Sequence, residues 1–343
     1  MKKLLVTVSV IILVGAAIGA WLFFGPTTSF KGDRAYLYIK SNGTTKQAVM
    51  DSLDKNDIIS NKATFNFLAN RLDYWKNIKP GKYEIKKGES VFAIVRMLRN
   101  GRQVPVKFTI NKVRTKEGLA EMAGGKFEFD STDMLSFLNS KDSLAKFGVD
   151  PEVSLSVIIP DTYTYYWNTT PRKVYQKWYD ASQKFWTDER KQKAEAHGLS
   201  PLQAYILASI VEEETNATAE KGNIASTYMN RLKKGMPLQA DPTIKFAMKD
   251  FALTRIYEKY LSTESPYNTY RNKGLPPGPI CTPSKQTIDA VLNAPKTDYL
   301  YFVASSEFNG THEFSSTYEE HMQKARQYHD ALNKRDSLKK QNL

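Results

Sequence analysis

Three consecutive carboxylates, Glu212-Glu213-Glu214, close an otherwise almost wholly apolar stretch that runs from Ser200 to Asn216. Two fates are open to such a run. The carboxylates fray into solvent, or one of them lies in a cleft with a raised pKa and works as a general acid. At the C-terminal end of a helix they face the negative end of the macrodipole and repel one another, and both effects disfavour the charged form. A helical side chain lies over residues three, four and seven positions earlier. That sets Glu214 over Val211, Ile210 and Leu207, Glu213 over Ile210, Ser209 and Ile206, and Glu212 over Ser209, Ala208 and Tyr205. Glu214 has the most apolar bed, so desolvation favours its neutral form most, the tuning a glycosidase proton donor needs near neutral pH. It is the first candidate acid, and Glu212 is the second.

The element that carries them is a helix. Ser200 is placed as its N-cap, Pro201 as N1 and Gln203 to close a capping box. Its apolar residues leave no polar stripe, so the helix is expected to be buried on most sides. Upstream, a basic amphipathic helix is expected from Arg172 to about Ala196. Downstream, a helix from about Thr218 to Lys234 repeats Ile224, Tyr228 and Leu232 and stops at Gly235. A loop, Met236 to Thr243, then offers Gln239, Asp241 and Thr243. Residues 265–283 hold five prolines and two glycines, a stiff loop of the kind that usually serves function. A helix from Ser284 to Asn293, a strand over Tyr299–Ala304 and a polar, basic helix from Tyr318 complete the chain, with His312 in the loop Gly310 to Ser316.

At the N-terminus, Lys2 and Lys3 precede an uncharged run from Leu4 to Phe24 that ends in Trp21, Phe23 and Phe24. As a helix it spans roughly 30 Å, the thickness of a bilayer's hydrocarbon core. Cleavage after Ala20 is the alternative, but the run is longer than a signal peptide's apolar region, and an uncleaved single-pass anchor is favoured. The lysines place the N-terminus (1–3) in the cytoplasm and residues 25–343 outside it, periplasmic in a Gram-negative cell. After a linker (25–33), residues 34–105 read as a small α+β module: strands at Ala35–Lys40 and Gly81–Ile85, and helices carrying Val49, Met50 and Leu53, then Phe65 to Leu72, then Val91 to Leu98. The stretch from Lys79 to Leu98 resembles the strand, turn and helix of LysM-like glycan-binding units. Residues 106–343 form the larger mixed α/β catalytic domain, built around the buried helix, so the fold class is α+β.

Composition bounds the partners. The chain has 343 residues and a formal charge of +13, which suits a phospholipid surface or an acidic wall polymer. No finger, helix-turn-helix or RNA-binding signature accompanies the scattered basic residues, so nucleic acid is not expected. The single cysteine, Cys281, reads as a packed thiol in Pro-Ile-Cys-Thr-Pro, and no metal site or organic cofactor is indicated.

The blocks Ala208 to Thr215, Tyr228 to Leu232, Gly235 to Thr243, Tyr267 to Tyr270, Gly274 to Gly278, Tyr299 to Val303 and His312 to Phe314 together resemble the YceG-like family of membrane-anchored endolytic murein transglycosylases. Pro160-Asp-Thr162 fits an upstream block. In that family the catalytic acid is the second acidic residue of a Val-Glu-x-Glu-Thr pattern, which falls on Glu214. Here the intervening residue is a third acid, Glu213, expected to couple to Glu214 and raise its pKa further. The resemblance implies non-hydrolytic cleavage of the bond between N-acetylmuramic acid and N-acetylglucosamine, leaving 1,6-anhydro ends on nascent glycan strands. It also implies partnership with peptidoglycan synthases. Gln239, Asp241, Tyr267, Asn268 and His312 are candidate substrate-positioning groups, each weighed against a plain loop hydrogen bond. A water-using muramidase, with Asp241 or Asp161 as second carboxylate, and a non-catalytic wall-binding scaffold are the alternatives.

Overall fold

The computed structural model describes residues 2–341; Met1 and the last two residues of the range 106–343 lie outside them. The chain is a mixed α+β protein that begins with an apolar helix, Lys2–Phe24, of mean hydropathy 2.4 and with no buried residue. Two compact units follow from the contacts. The first holds residues 1–108, 124–130 and 164–170, and the second 109–123, 131–163 and 171–343. The division departs from a single cut after residue 105, because two short returns of the chain join the first unit.

In the first unit, strand Arg34–Ile39 pairs antiparallel with Gly81–Lys86, Leu37 opposite Tyr83. Helices Lys46–Lys55 and Lys62–Arg71 lie between them in sequence, capped by the side chains of Thr45 and Asn61. Helix Val91–Asn100 starts at the Ser90 cap and ends at Gly101, whose φ of 68° is the left-handed turn that glycine adopts without penalty. The apolar faces of these elements meet in one core around Leu37, Leu53, Phe65, Tyr83 and Ile94. The returning segments are tied in by polar bonds. Glu128 accepts from the Ser41 amide and hydroxyl, both at 2.6 Å, and the Trp167 ring meets Tyr38 edge-on at 5.1 Å. The segment 25–30, expected as a linker, is itself bonded to this unit: Thr27 donates to Glu89 and accepts from Ser60.

In the second unit the expected central helix spans Pro201–Glu214, with the Ser200/Gln203 capping box formed. Every residue from Ala204 to Val211 is buried, which is why no polar stripe was affordable there. Helices Lys221–Lys233, Asp241–Ala247 and Lys285–Leu292 pack against it. The basic helix expected from Arg172 to Ala196 is two helices, Pro171–Phe185 and Asp188–Ala196. Thr187 caps the second through its hydroxyl and so breaks the run. The loop expected to reach Thr243 instead enters a helix at Asp241, where Pro242 falls at a position that needs no amide donor. The proline-rich loop is stapled to the central helix by Ser209, whose hydroxyl accepts from the Ile280 amide at 3.0 Å, while the Cys281 thiol donates to the Ser209 carbonyl. Strands Tyr301–Ala304 and His312–Ser315 form a hairpin with Ala304 opposite His312. Helix Tyr318–Gln341 follows it.

Candidate active site

The three carboxylates at the end of the central helix have three different surroundings. Glu212 turns inward to Lys221, 3.0 Å away, and also accepts from the hydroxyls of Ser284 and Thr287. Lys221 is 6% exposed and donates as well to Thr287 at 2.6 Å, so this is a buried polar tie between three helices. Glu213 turns the other way and takes a bidentate bond from Arg114 at 3.1 and 2.8 Å, with Lys112 at 3.1 Å. Burial pushes its carboxyl up, but the two cations outweigh that and hold it below the ordinary value. Glu214 has no cation on it. It faces a cavity of about 260 Å³ lined also by Tyr228, Arg231, Gln239, Asp241, Tyr270, Phe302 and His312.

Desolvation is the largest influence on Glu214 and pushes its pKa up to about 7. A hydrogen bond from the Tyr228 hydroxyl works in the opposite direction, because it stabilises the carboxylate. Asp241 raises the value further, and Lys245 and Arg231 lower it. The expected coupling to Glu213 is absent from these influences: that carboxylate is neutralised by Arg114 and Lys112, and the neighbouring negative charge is that of Asp241. Replacing Tyr228 by Phe removes the bond to the carboxylate and is expected to raise the pKa of Glu214. The alkaline limb of a pH–rate profile should move to higher pH, and an unmoved or lowered limb would refute that role for Tyr228.

Glu214, Gln239, Asp241 and His312 are brought together at this cavity. Gln239 sits in the left-handed region, φ 53°, its amide bonded to the Thr269 carbonyl and its side-chain oxygen 3.3 Å from Arg231. A non-glycine residue held there costs about 1–3 kcal/mol and marks a constrained site. Asp241 accepts from the Tyr270 hydroxyl at 2.5 Å. His312 is held twice by Glu220, through its amide at 2.8 Å and its Nδ1 at 2.9 Å. Burial would lift the Glu220 carboxyl, but the Thr215 hydroxyl and His312 outweigh it, so Glu220 stays an acceptor. A neutral His312 ring therefore carries its proton on Nδ1 and leaves Nε2 as an acceptor on a residue that lines the cavity.

Tyr267 and Asn268 are placed elsewhere. The Tyr267 hydroxyl donates to Glu152 at 2.6 Å, at a second cavity lined by Arg114, Lys116, Phe246 and Pro279. Gly278 makes that pairing possible, since a Cβ there would lie 2.8 Å from both the Glu152 carbonyl and the Tyr267 hydroxyl. Asn268 is fully buried. Its amide donates to Leu261 and Thr263 and its oxygen accepts from the Tyr270 amide, so it shapes the loop that delivers Tyr270. Asp161, the other proposed second carboxylate, pairs with Lys285 at 2.5 Å and does not line the cavity.

Tyr228, Arg231 and Tyr270 line the cavity without having been singled out from sequence. Tyr228 is one of a row of apolar positions four residues apart, so its ring reads as core and its hydroxyl goes unnoticed. Arg231 reads as surface but is 9% exposed and donates to the Leu300 and Leu238 carbonyls, joining hairpin, loop and helix.

Residues 37–327 match the YceG-like family. The chain belongs to the YceG-like family. Among its relatives in that family is a Bacillus subtilis (strain 168) protein named endolytic murein transglycosylase, 28% identical over 312 residues that cover 86% of this chain and 85% of the other. A Streptococcus pneumoniae (strain D39) protein of the same name is 27% identical over 297 residues, 76% of this YceG-like chain and 53% of its own length. The crystal structure of a YceG-like protein from Listeria monocytogenes superposes with a TM-score of 0.56 at 27% identity, over 85% of this chain and 99% of that one.

Proposed function

We propose that this protein is a membrane-anchored endolytic lytic transglycosylase of peptidoglycan. The observation that carries this reading is the placement of Glu214, whose carboxyl faces a polar cavity without an ion-pair partner, where burial raises its pKa to about 7. The names of its relatives supply the substrate class, and the cavity supplies the chemistry. Glu214 protonates the oxygen between N-acetylmuramic acid and N-acetylglucosamine as an oxocarbenium-like state develops. The departing sugar leaves with that proton. The resulting carboxylate then takes the proton of the muramyl C6 hydroxyl, whose oxygen closes on the anomeric carbon to give the 1,6-anhydro end. Proton transfer in and out returns Glu214 to its starting form. The nucleophile is part of the substrate, so no second carboxylate is needed to activate water. Gln239, the Asp241–Tyr270 pair and the acceptor nitrogen of His312 orient sugar hydroxyls and acetamido groups. Glu212 has no part in the chemistry.

Around this centre, the Lys2–Phe24 helix is the single-pass anchor, with the N-terminus cytoplasmic and residues 25–343 outside. The strand–helix–helix–strand order of residues 34–86 supports a LysM-like glycan-binding role for the first unit. Action on nascent strands beside a synthase would make the enzyme a terminator of glycan elongation. Digestion of purified and nascent peptidoglycan by the full chain, with mass analysis of the released muropeptides, tests this directly. Anhydromuramyl ends are expected. No release from either substrate would favour a non-catalytic scaffold.

One observation supports a second reading. Asp241 shares the cavity with Glu214, as a hydrolytic muramidase would require of its water-activating base. Reducing ends in the same experiment, lost in Asp241→Asn, would favour it.

The pH dependence follows from the sign of the Glu214 shift. The acid must start protonated, and its pKa is raised to about 7. The rate constant kcat/KM is therefore expected to be level below neutrality on this limb and to fall about tenfold per pH unit well above it. A limb near pH 4.5 would exclude Glu214 as the initial acid.

A further inference from the structure

The N-terminal helix does not lead into a free tether. The Gly25 amide continues the helix to the Trp21 carbonyl at 2.8 Å, and the chain then enters the first unit at once. Thr27 donates to the Glu89 carbonyl at 3.1 Å and accepts from the Ser60 amide at 2.7 Å, and Ser29 donates through its amide to Ile58 at 3.2 Å. The Thr28 hydroxyl accepts from the Gly88 amide at 2.8 Å. Thr27 itself is 5% exposed, so the strap is packed as well as bonded. The membrane helix is thus joined to the rest of the first unit by a strap, residues 25–29, that is bonded to it directly.

Two aromatic contacts extend this joint. Phe23 stacks on Phe67 with ring centroids 5.9 Å apart, and Phe24 meets Phe92 at 5.2 Å. Phe67 comes from helix Lys62–Arg71 and Phe92 from helix Val91–Asn100, so two separate helices of the unit reach the same end of the membrane segment. Phe67 remains 51% exposed despite its stack, and Trp21 and Phe24 are 69% and 65% exposed. Arginines accompany them. The Arg71 guanidinium lies 5.5 Å from the Phe67 ring centroid, and the exposed Arg96 and Arg99 follow Phe92 by one and two helical turns.

We propose that the first unit rests on the outer surface of the bilayer, with Phe67 and Phe92 set into the lipid interface and Arg71, Arg96 and Arg99 at the level of the headgroups. This rests on the reading of Lys2–Phe24 as a membrane-spanning helix. The span from Leu4 ends at Phe24, so residues within a ring's width of Phe23 and Phe24 lie where interfacial aromatics sit. The exposed Phe67 ring and the partly exposed Phe92 ring lose contact with water there, and arginine stems run along apolar surface while their charged ends stay among phosphates. The partner is the phospholipid interface of the same membrane, and its contact fixes the orientation of the first unit on it.

Cys281 makes the test clean, because it is fully buried and burial pushes its thiol up, so added cysteines alone take a label. The full chain is reconstituted in vesicles of phosphatidylcholine and phosphatidylglycerol as Phe67→Cys, Phe92→Cys, Leu13→Cys or Asn309→Cys, each carrying an environment-sensitive fluorophore. Lipids bearing a nitroxide then act as quenchers. Positions 67 and 92 are expected to lose most of their emission, as position 13 does, while position 309, in an exposed turn, keeps it. Quenching at 13 with none at 67 and 92 would overturn the surface contact and leave the anchor intact. No quenching at 13 would overturn the anchor, and the contact with it.

Discussion

Glu214→Gln is expected to reduce turnover by about 10²–10⁴-fold, the usual contribution of a positioned general acid–base group. Glutamine keeps the shape of the side chain and can still accept from Tyr228, but it has no proton to give to the glycosidic oxygen. Loss of folding is not a competing explanation, because the same substitution should stabilise the protein above neutral pH. A carboxyl whose folded pKa is raised from 4.5 to about 7 costs no stability below its unfolded value. It costs progressively more as pH rises to 7, and the full amount beyond. Thermal unfolding of Glu214→Gln should therefore match the wild type near pH 4 and exceed it at pH 8, by an amount on the order of 1–3 kcal/mol. An inactive variant that is also less stable at pH 8 would count against a desolvated Glu214.

Lys221→Met is expected to have the largest effect on stability, about 3 kcal/mol of destabilisation. The ammonium is buried beside Glu212, whose side chain is only 16% exposed. Without it, that carboxylate is left with the hydroxyls of Ser284 and Thr287 as donors and no opposite charge. Removing both charges is a different matter, since apolar groups of similar volume replace a buried ion pair at little cost. Lys221→Met with Glu212→Met should recover most of the loss in chemical denaturation, at unchanged dependence on denaturant. A loss under about 1 kcal/mol for Lys221→Met alone would show that Glu212 is not held by this pair. The catalytic candidacy of Glu212 would then reopen.

Much of the second unit was legible because its signals are local. Ser200, Pro201 and Gln203 encode the start of the central helix, and the unbroken apolar run after them could only be buried. The different surroundings of the three acids were legible in part for a related reason. Helical geometry gives Glu214 the most apolar bed, and in the fold it is the one that reaches a cavity with no cation on it. What Glu213 meets was not legible, because Arg114 lies far away in sequence and only the fold brings it near. Tyr228 and Arg231 were hidden by residue type: a tyrosine in an apolar row reads as core, and an arginine after it as surface. For Asn268 the two readings, sugar contact and loop hydrogen bond, were equally open in the sequence. In the fold all of its bonds go to the backbone that shapes the loop. The first unit's boundary escaped a linear reading because residues 124–130 and 164–170 return to it through contacts such as Ser41 with Glu128. The strap at 25–30 escaped because its partners, residues 57–60 and 88–89, lie far away in sequence and only the fold brings them near.

The source of the oxygen in the first product tests the central claim most directly. The full chain is incubated with uncrosslinked glycan in water enriched in heavy oxygen, and the earliest products are weighed. If Glu214 serves first as acid and then as base for the muramyl C6 hydroxyl, the new ends are anhydro and carry no heavy oxygen. A reducing end that has taken up heavy oxygen from the start would contradict it, because a water molecule would then be the nucleophile.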